Sequence, residues 1–191
     1  MDNFTQLVEA ILRLAPPFDQ PILIGISGFG GSGKSTLARR LAKQLAAAEV
    51  VSMDEFWIPE QDVLSSDWIV FDRDRLEHQV LIPALQGNPI RYQVFDWHQG
   101  KLGDWREITA DYLIVEGISA LHPNLLPYYR FKIWVECSLD VAQLRGLRRG
   151  KIAYNIDETE SWINRWTPND RAYFEVYRPD LQADFSYPTS V

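Results

Sequence analysis

One stretch of eight residues has the composition and spacing of a phosphate-binding loop. Residues 28–35 read Gly-Phe-Gly-Gly-Ser-Gly-Lys-Ser and fit the pattern G-x-x-x-x-G-K-[ST]. Glycines let a backbone turn tightly, so that several N–H groups can point inward at an anion. We expect Lys34 to reach the β- and γ-phosphates of ATP and the Ser35 hydroxyl to bind Mg²⁺. The residues expected to hold the nucleotide are Gly28, Phe29, Gly30, Gly31, Ser32, Gly33, Lys34, Ser35 and Thr36. A flexible surface loop is the alternative interpretation.

Two acidic residues each follow an apolar run that resembles a buried strand. Asp54 comes after the run at 50–53, and Glu116 comes after the run at 112–115. Ligands of open α/β sheets bind beyond the carboxyl ends of the strands, so both acids should face the phosphate loop. Asp54 could then accept the proton of an attacking hydroxyl, and Glu116 could help to hold Mg²⁺. The alternatives are an Asp54 that caps a helix or forms a turn and a Glu116 that is a plain surface acid.

Three arginines lie close together near the end of a predicted helix at 140–149. Arg145 and Arg149 are four residues apart and share a helix face, and Arg148 lies beside them. We expect them to begin a lid at 145–165 that closes over the triphosphate. Arg145 and Arg149 would stabilise the charge of the transferring group, and Arg148 would contact the nucleotide. A solvated basic face is the alternative.

The predicted elements alternate between strands and helices, which is typical of a parallel sheet with helices on both faces. Apolar runs at 21–27, 50–53, 112–115 and 131–136 predict strands, and helical patterns occupy 34–48, 72–86, 140–149 and 157–177. We expect a three-layer α/β fold with a mainly parallel five-stranded sheet and a helical lid. The sequence contains no repeat and no linker-like tract, so it predicts a single domain over residues 1–191.

The composition limits the classes of partner. A net charge of −7 argues against a nonspecific grip on nucleic acid, which requires a basic face. The longest apolar runs fall short of the ~18 residues needed to span a membrane. The first residues do not resemble a signal peptide, so we expect a cytoplasmic protein. The expected partner is a small-molecule acceptor, and a homo-oligomer is an open alternative to a monomer.

Taken together, these residues resemble the uridine kinase family of phosphate-loop kinases, which also holds phosphoribulokinase and the bacterial pantothenate kinases. The similarity runs from about Ile22 to Arg149 and, more weakly, to the region of Asp184. The matching motifs beyond the phosphate loop are Asp54-Glu55-Phe56, Phe71-Asp72, Phe95-Asp96-Trp97, Glu116-Gly117-Ile118 and the arginines from Arg145 to Arg149.

The resemblance implies roles for the matching residues. Asp54 would be the catalytic base, and Asp72 would bind ribose hydroxyls. Phe95, Trp97 and His98 would line the pocket for the acceptor. Phe95 stands where the family has a tyrosine, and His98 follows Trp97 directly instead of lying several residues beyond. The resemblance therefore implies kinase chemistry with ATP and Mg²⁺ and leaves the acceptor open.

The sequence as a whole favours an ATP-dependent kinase that phosphorylates a hydroxyl of a nucleoside-like or other small metabolite. The alternative is a regulatory nucleotide-binding protein whose lid movement controls a partner. The sequence contains no guanine-reading N-K-x-D motif, and its acids are spaced for an acceptor hydroxyl.

Overall fold

A computed structural model describes residues 2–14, 20–154 and 157–189, without the side chains of residues 153 and 154. Its centre is a five-stranded sheet in which every neighbouring pair is parallel, in the order β2-β5-β1-β6-β7. A separate antiparallel hairpin is formed by β3 and β4. The strands are β1 (Ile22–Ser27), β2 (Ala48–Ser52), β3 (Ile90–Asp96), β4 (Lys101–Ile108), β5 (Tyr112–Glu116), β6 (Phe131–Glu136) and β7 (Phe185–Pro188).

Helices cover both faces of the sheet, and this explains why the central strands are continuous apolar runs. All six residues of β1 are buried. The helices are α1 (Asn3–Leu12), α2 (Lys34–Ala42), α3 at 73–85, α4 (Leu139–Arg149) with a π turn at Gly150–Tyr154, and α5 at 159–177. Within α3 and α5, π turns at Glu77–Leu81 and Trp162–Trp166 interrupt the α-helical pattern. Short 3-10 turns lie at Met53–Phe56, Pro59–Gln61, Leu126–Tyr128 and Pro179–Gln182.

Two apolar cores lie on opposite faces of the sheet and make the fold three-layered. One core joins the sheet to α1 and α2 through residues such as Leu7 and Leu41. The other joins it to α3, α5 and the hairpin through residues such as Leu76, Tyr92 and Tyr173. The expected three-layer α/β fold with a mainly parallel five-stranded sheet is therefore confirmed.

The register of the parallel strands brings the ends of three of them to one edge. Ile26 of β1 and Ser52 of β2 both lie opposite Glu116 of β5. The phosphate loop leaves β1 at this edge, and the turn that holds Asp54 leaves β2 there. The fold thus places the loop and both predicted acids side by side.

Several boundaries differ from the sequence-based expectation. Helix α2 ends at Ala42 instead of continuing to residue 48. The backbone of Ala47 turns into the left-handed region, with φ +49°, and Ala48 already begins β2. The predicted lid at 145–165 consists of the end of α4, its π turn and the start of α5, and residues 155 and 156 lie outside the described residues. Within the described ranges, no helix combines the length and the apolar composition that crossing a membrane requires.

Candidate active site

The phosphate loop follows β1 and ends in the first turn of α2, as its motif predicts. Gly33 precedes the helix with φ +105°, and Gly31 has φ +84°, a region that glycine enters without strain. A Cβ on Gly31 would lie 2.1 Å from the backbone oxygen of Ala142 in α4. Glycine is therefore required at position 31 both for its backbone angle and for the close approach of α4.

Lys34 is buried beside the loop and surrounded by acids. Its Nζ donates a hydrogen bond of 2.9 Å to the backbone oxygen of Phe29. Burial lowers the pKa of Lys34 below its ordinary value, and the negative charges of Glu116, Asp170 and Asp54 offset only part of this shift. A buried ammonium held at a helix N-terminus is well placed to attract an anion such as phosphate.

Ser35 and Glu116, the two residues predicted to hold a metal ion, lie close enough for their side chains to interact. The Glu116 carboxylate accepts a hydrogen bond of 3.0 Å from Ser52 Oγ. Burial raises the pKa of Glu116, and the Lys34 ammonium opposes this shift. A carboxylate and a hydroxyl are the hard oxygen donors that Mg²⁺ prefers, so this pair fits the ion.

No cluster of three His, Cys, Asp or Glu side chains in the described ranges could hold a metal ion without other ligands. Few protein ligands are expected for Mg²⁺, which usually keeps several waters and binds to the phosphates of its substrate.

Asp54 lies in the 3-10 turn after β2, and its backbone N–H donates to Ser52 Oγ at 3.3 Å. Its side chain is open to solvent, yet protein surrounds it closely enough that desolvation raises its pKa. The positive charges of Lys34 and Arg149 act in the opposite direction. The Asp54 side chain is therefore accessible to a bound molecule while it remains within the electrostatic influence of Lys34 and Arg149.

The three arginines of α4 point in different directions. Arg149 is close enough to Lys34 and Asp54 to influence the pKa of both. Arg145 reaches instead towards the end of the described chain, where its Nη1 donates to Thr189 Oγ1 at 3.1 Å. Thr189 Oγ1 in turn donates to the backbone oxygen of Ser32, also at 3.1 Å. Arg148 is exposed on the outer surface of α4.

Four aromatic side chains near Asp72 form a continuous wall. The ring centroids of Trp57 and Trp97 are 5.1 Å apart, and Trp97 lies at the same distance from Phe95. Trp57 also contacts Phe71, with centroids 5.5 Å apart. Phe95 is buried, whereas Trp97 is 57% exposed and can therefore be covered by a ligand. We call Trp57, Phe71, Phe95 and Trp97 the aromatic wall.

The polar residues predicted beside this wall have structural contacts. Asp72 caps the N-terminus of α3 by accepting from the Arg75 N–H at 2.9 Å, and it pairs with Arg75 Nε at 3.4 Å. Its side chain stays 31% exposed, so part of the carboxylate remains accessible. His98 lies in the exposed turn of the hairpin, where its backbone N–H donates to Asp96 Oδ1 at 2.8 Å.

The sequence reasoning missed two residues that contact the phosphate loop from α5. Asp170 is 1% exposed, and its Oδ2 accepts a hydrogen bond of 2.7 Å from the backbone N–H of Gly30. The indole of Trp162 covers Gly30 and Gly146. The contacting residues are 132 or more positions from Gly30 in the chain, and the local sequence carries no signal for such a contact.

Comparison with known proteins places this chain in a recognised group. A family model described as an AAA domain matches residues 24–163. A uridine kinase from Staphylococcus epidermidis is 31% identical over 186 residues, which cover 90% of this chain and 84% of the relative. A uridine kinase from Saccharomyces cerevisiae is 27% identical over 169 residues, which cover 81% of this chain. The match spans only 34% of the yeast protein's own length.

A solved structure shares the fold. A possible uridine kinase from Bacillus stearothermophilus superposes with a TM-score of 0.75, and the match covers 96% of each chain. The two sequences are 18% identical, so this likeness concerns the arrangement of strands and helices.

Proposed function

This chain belongs to the uridine kinase-like family of P-loop kinases, and from that premise we propose that it transfers the γ-phosphate of ATP to a hydroxyl of a small, nucleoside-like metabolite. The observation that carries the proposal is the convergence of Lys34, Ser35, Glu116 and Asp54 at one edge of the sheet. Lys34 and the loop amides would hold the phosphates. We also propose that residues 1–191 act as one kinase domain.

Each remaining group has a role that its surroundings support. Asp54 would accept the proton of the acceptor hydroxyl, since it is open to a bound molecule and faces the phosphate loop through Lys34. Arg149 would stabilise negative charge on the transferring group. Ser35 and Glu116 would hold Mg²⁺, which when bound neutralises charge on the β- and γ-phosphates. Arg145 and Arg148 would have to turn towards the nucleotide, because in this structure Arg145 contacts Thr189 and Arg148 lies exposed on α4.

The acceptor would lie against the aromatic wall. A planar ring gains by stacking on an exposed indole such as Trp97, and the accessible part of Asp72 could accept hydrogen bonds from a diol. Phe95 offers no hydrogen bond to a base edge. Without such a contact, a site forgoes the ~10⁴–10⁵-fold rejection that buried polar groups can give. We therefore propose broad or non-pyrimidine acceptor use.

A screen for acceptor-dependent ADP release tests the proposal. Nucleosides, sugars and pantothenate-like alcohols are added singly to the protein with ATP and Mg²⁺, and Lys34→Ala serves as the control without transfer. We expect at least one acceptor to stimulate ADP release by the wild type and none to stimulate the variant. ATP hydrolysis that no acceptor stimulates would instead indicate a nucleotide-driven switch. Strong preference for uridine and cytidine in competition would contradict broad acceptor use.

A further inference from the structure

One buried carboxyl that the proposed reaction does not use touches the phosphate loop from the other end of the chain. Asp170 lies in α5, and its hydrogen bond with the Gly30 N–H links residues 140 positions apart. Gly30 is the third residue of the eight-residue loop, and its N–H donates to Asp170 Oδ2. A protein carboxyl therefore fixes the direction of a loop amide.

The helix that carries Asp170 also covers the same glycine. A Cβ on Gly30 would come 2.9 Å from Trp162 Cη2 and 3.3 Å from Asp170 Oδ2, so both side chains lie directly against the loop. Helix α5 therefore holds the loop at two points, one apolar and one polar.

The charge of Asp170 is unfavourable for a direct phosphate ligand. Burial raises the pKa of this carboxyl to about 7, and the Gly30 amide, the Lys34 ammonium and the Trp68 indole N–H oppose the shift. A carboxylate beside bound phosphates would repel them, which argues for a role in holding the loop instead of holding the nucleotide.

We propose that Asp170 is a positioning residue for nucleotide binding, whose carboxyl holds the Gly30 amide in the orientation that the phosphate loop needs and so ties α5 to the loop. Asp170 does not touch the reacting atoms. This inference rests on nucleotide binding at the loop, which is part of the proposed function, and not on the identity of the acceptor.

Calorimetric titration with Mg–ADP tests the proposal on the wild type, Asp170→Ala, Asp170→Asn and Asn169→Ala. Asn169 is the matched control, because it is the adjacent residue and is 3% exposed. It accepts a hydrogen bond of 2.8 Å from the Ser65 N–H and donates one of 2.8 Å to the Val63 oxygen, so it anchors a different segment.

We expect Asp170→Ala to raise the Kd of ADP about tenfold to a hundredfold, the effect of losing one charge-assisted hydrogen bond. Asn169→Ala should leave this Kd unchanged. Asp170→Asn keeps an acceptor oxygen for the Gly30 N–H and should therefore not lose affinity for ADP. Because Asn carries no charge, it should bind ADP at least as tightly as the wild type at pH 8.

Three results would overturn the proposal. They are an unchanged or lower Kd for Asp170→Ala, an equal loss for Asn169→Ala, and a folded Asp170→Asn that binds ADP about tenfold more weakly than the wild type, or weaker still. If Asp170→Ala does not fold, the asparagine variant decides between the expected result and the third of these. A wild type that binds ADP but phosphorylates no acceptor would contradict the proposed function and leave this inference in place.

Discussion

Replacing Gly146 with alanine should destabilise the protein, although alanine ordinarily stabilises a helix. Gly146 is buried inside α4, where the intrinsic preference for alanine over glycine is about 1 kcal/mol. The added Cβ would lie 2.2 Å from Cζ2 and 2.4 Å from Cη2 of Trp162, whereas carbon atoms pack at about 3.5–4.0 Å. Inserting a methyl group into a packed site costs about 1–3 kcal/mol, and contacts this short belong at the upper end. The net loss of unfolding free energy should therefore be about 2 kcal/mol.

Urea unfolding followed by circular dichroism measures this free energy in two backgrounds. In the wild-type background, Gly146→Ala should lower the free energy of unfolding. In Trp162→Leu, where the indole ring is gone, the same substitution should raise it by up to about 1 kcal/mol, because only helix preference remains. The opposite signs define a coupling between the two residues. If Gly146→Ala instead stabilised the wild type, α4 would not pack beneath Trp162. The Trp162 indole would then not cover Gly30 of the phosphate loop as described.

Three further predictions concern the site. Asp54→Asn should lower turnover by about 10²–10⁴-fold while the Kd of ATP stays nearly constant, and a collapse of ATP affinity would assign Asp54 to metal binding or structure. Trp97→Ala should raise the KM of the acceptor and leave that of ATP unchanged; equal changes in both would place Trp97 outside the acceptor site. Because the pKa of Asp170 is about 7 when folded and 3.8 as its ordinary value, the folded state binds more protons between these values. Wild-type stability should therefore fall as pH rises from about 4 to 7, and Asp170→Asn should be more stable at pH 8 by no more than about 4 kcal/mol. Thermal unfolding of both proteins at pH 5 and pH 8 measures this gain, and a gain that does not shrink at pH 5 would contradict it.

Features that depend on a few neighbouring residues could be predicted from the sequence. The buried strands are apolar runs, and the phosphate loop depends on glycines and a lysine at fixed spacing. The hairpin of β3 and β4 was not predicted, because most of β4 is exposed and its sequence lacks an alternating apolar face. The fifth strand, β7, has four residues and therefore gives little periodicity to detect.

The same distinction applies to the candidate site: local sequence predicts some of its residues, and only tertiary packing brings in the others. Asp54 and Glu116 could be located because each directly follows an apolar run that predicts a strand whose end must face the loop. The direction of the Arg145 side chain could not be predicted. Its helical spacing from Arg149 does not reveal that Thr189 lies within reach of Arg145. Asp170 shows the same limit more strongly, because only tertiary packing makes this acid a neighbour of Gly30.

The position of Thr189 has a practical consequence for handling the protein. Its backbone N–H and hydroxyl both contact Glu136, and its hydroxyl also bonds to Ser32 of the phosphate loop. A fluorescent label attached at Thr189 would therefore lie beside the phosphate loop, where it would obstruct the approach of a nucleotide. A label on the exposed face of α1 avoids the loop, since that helix packs against β7 and the core below α2.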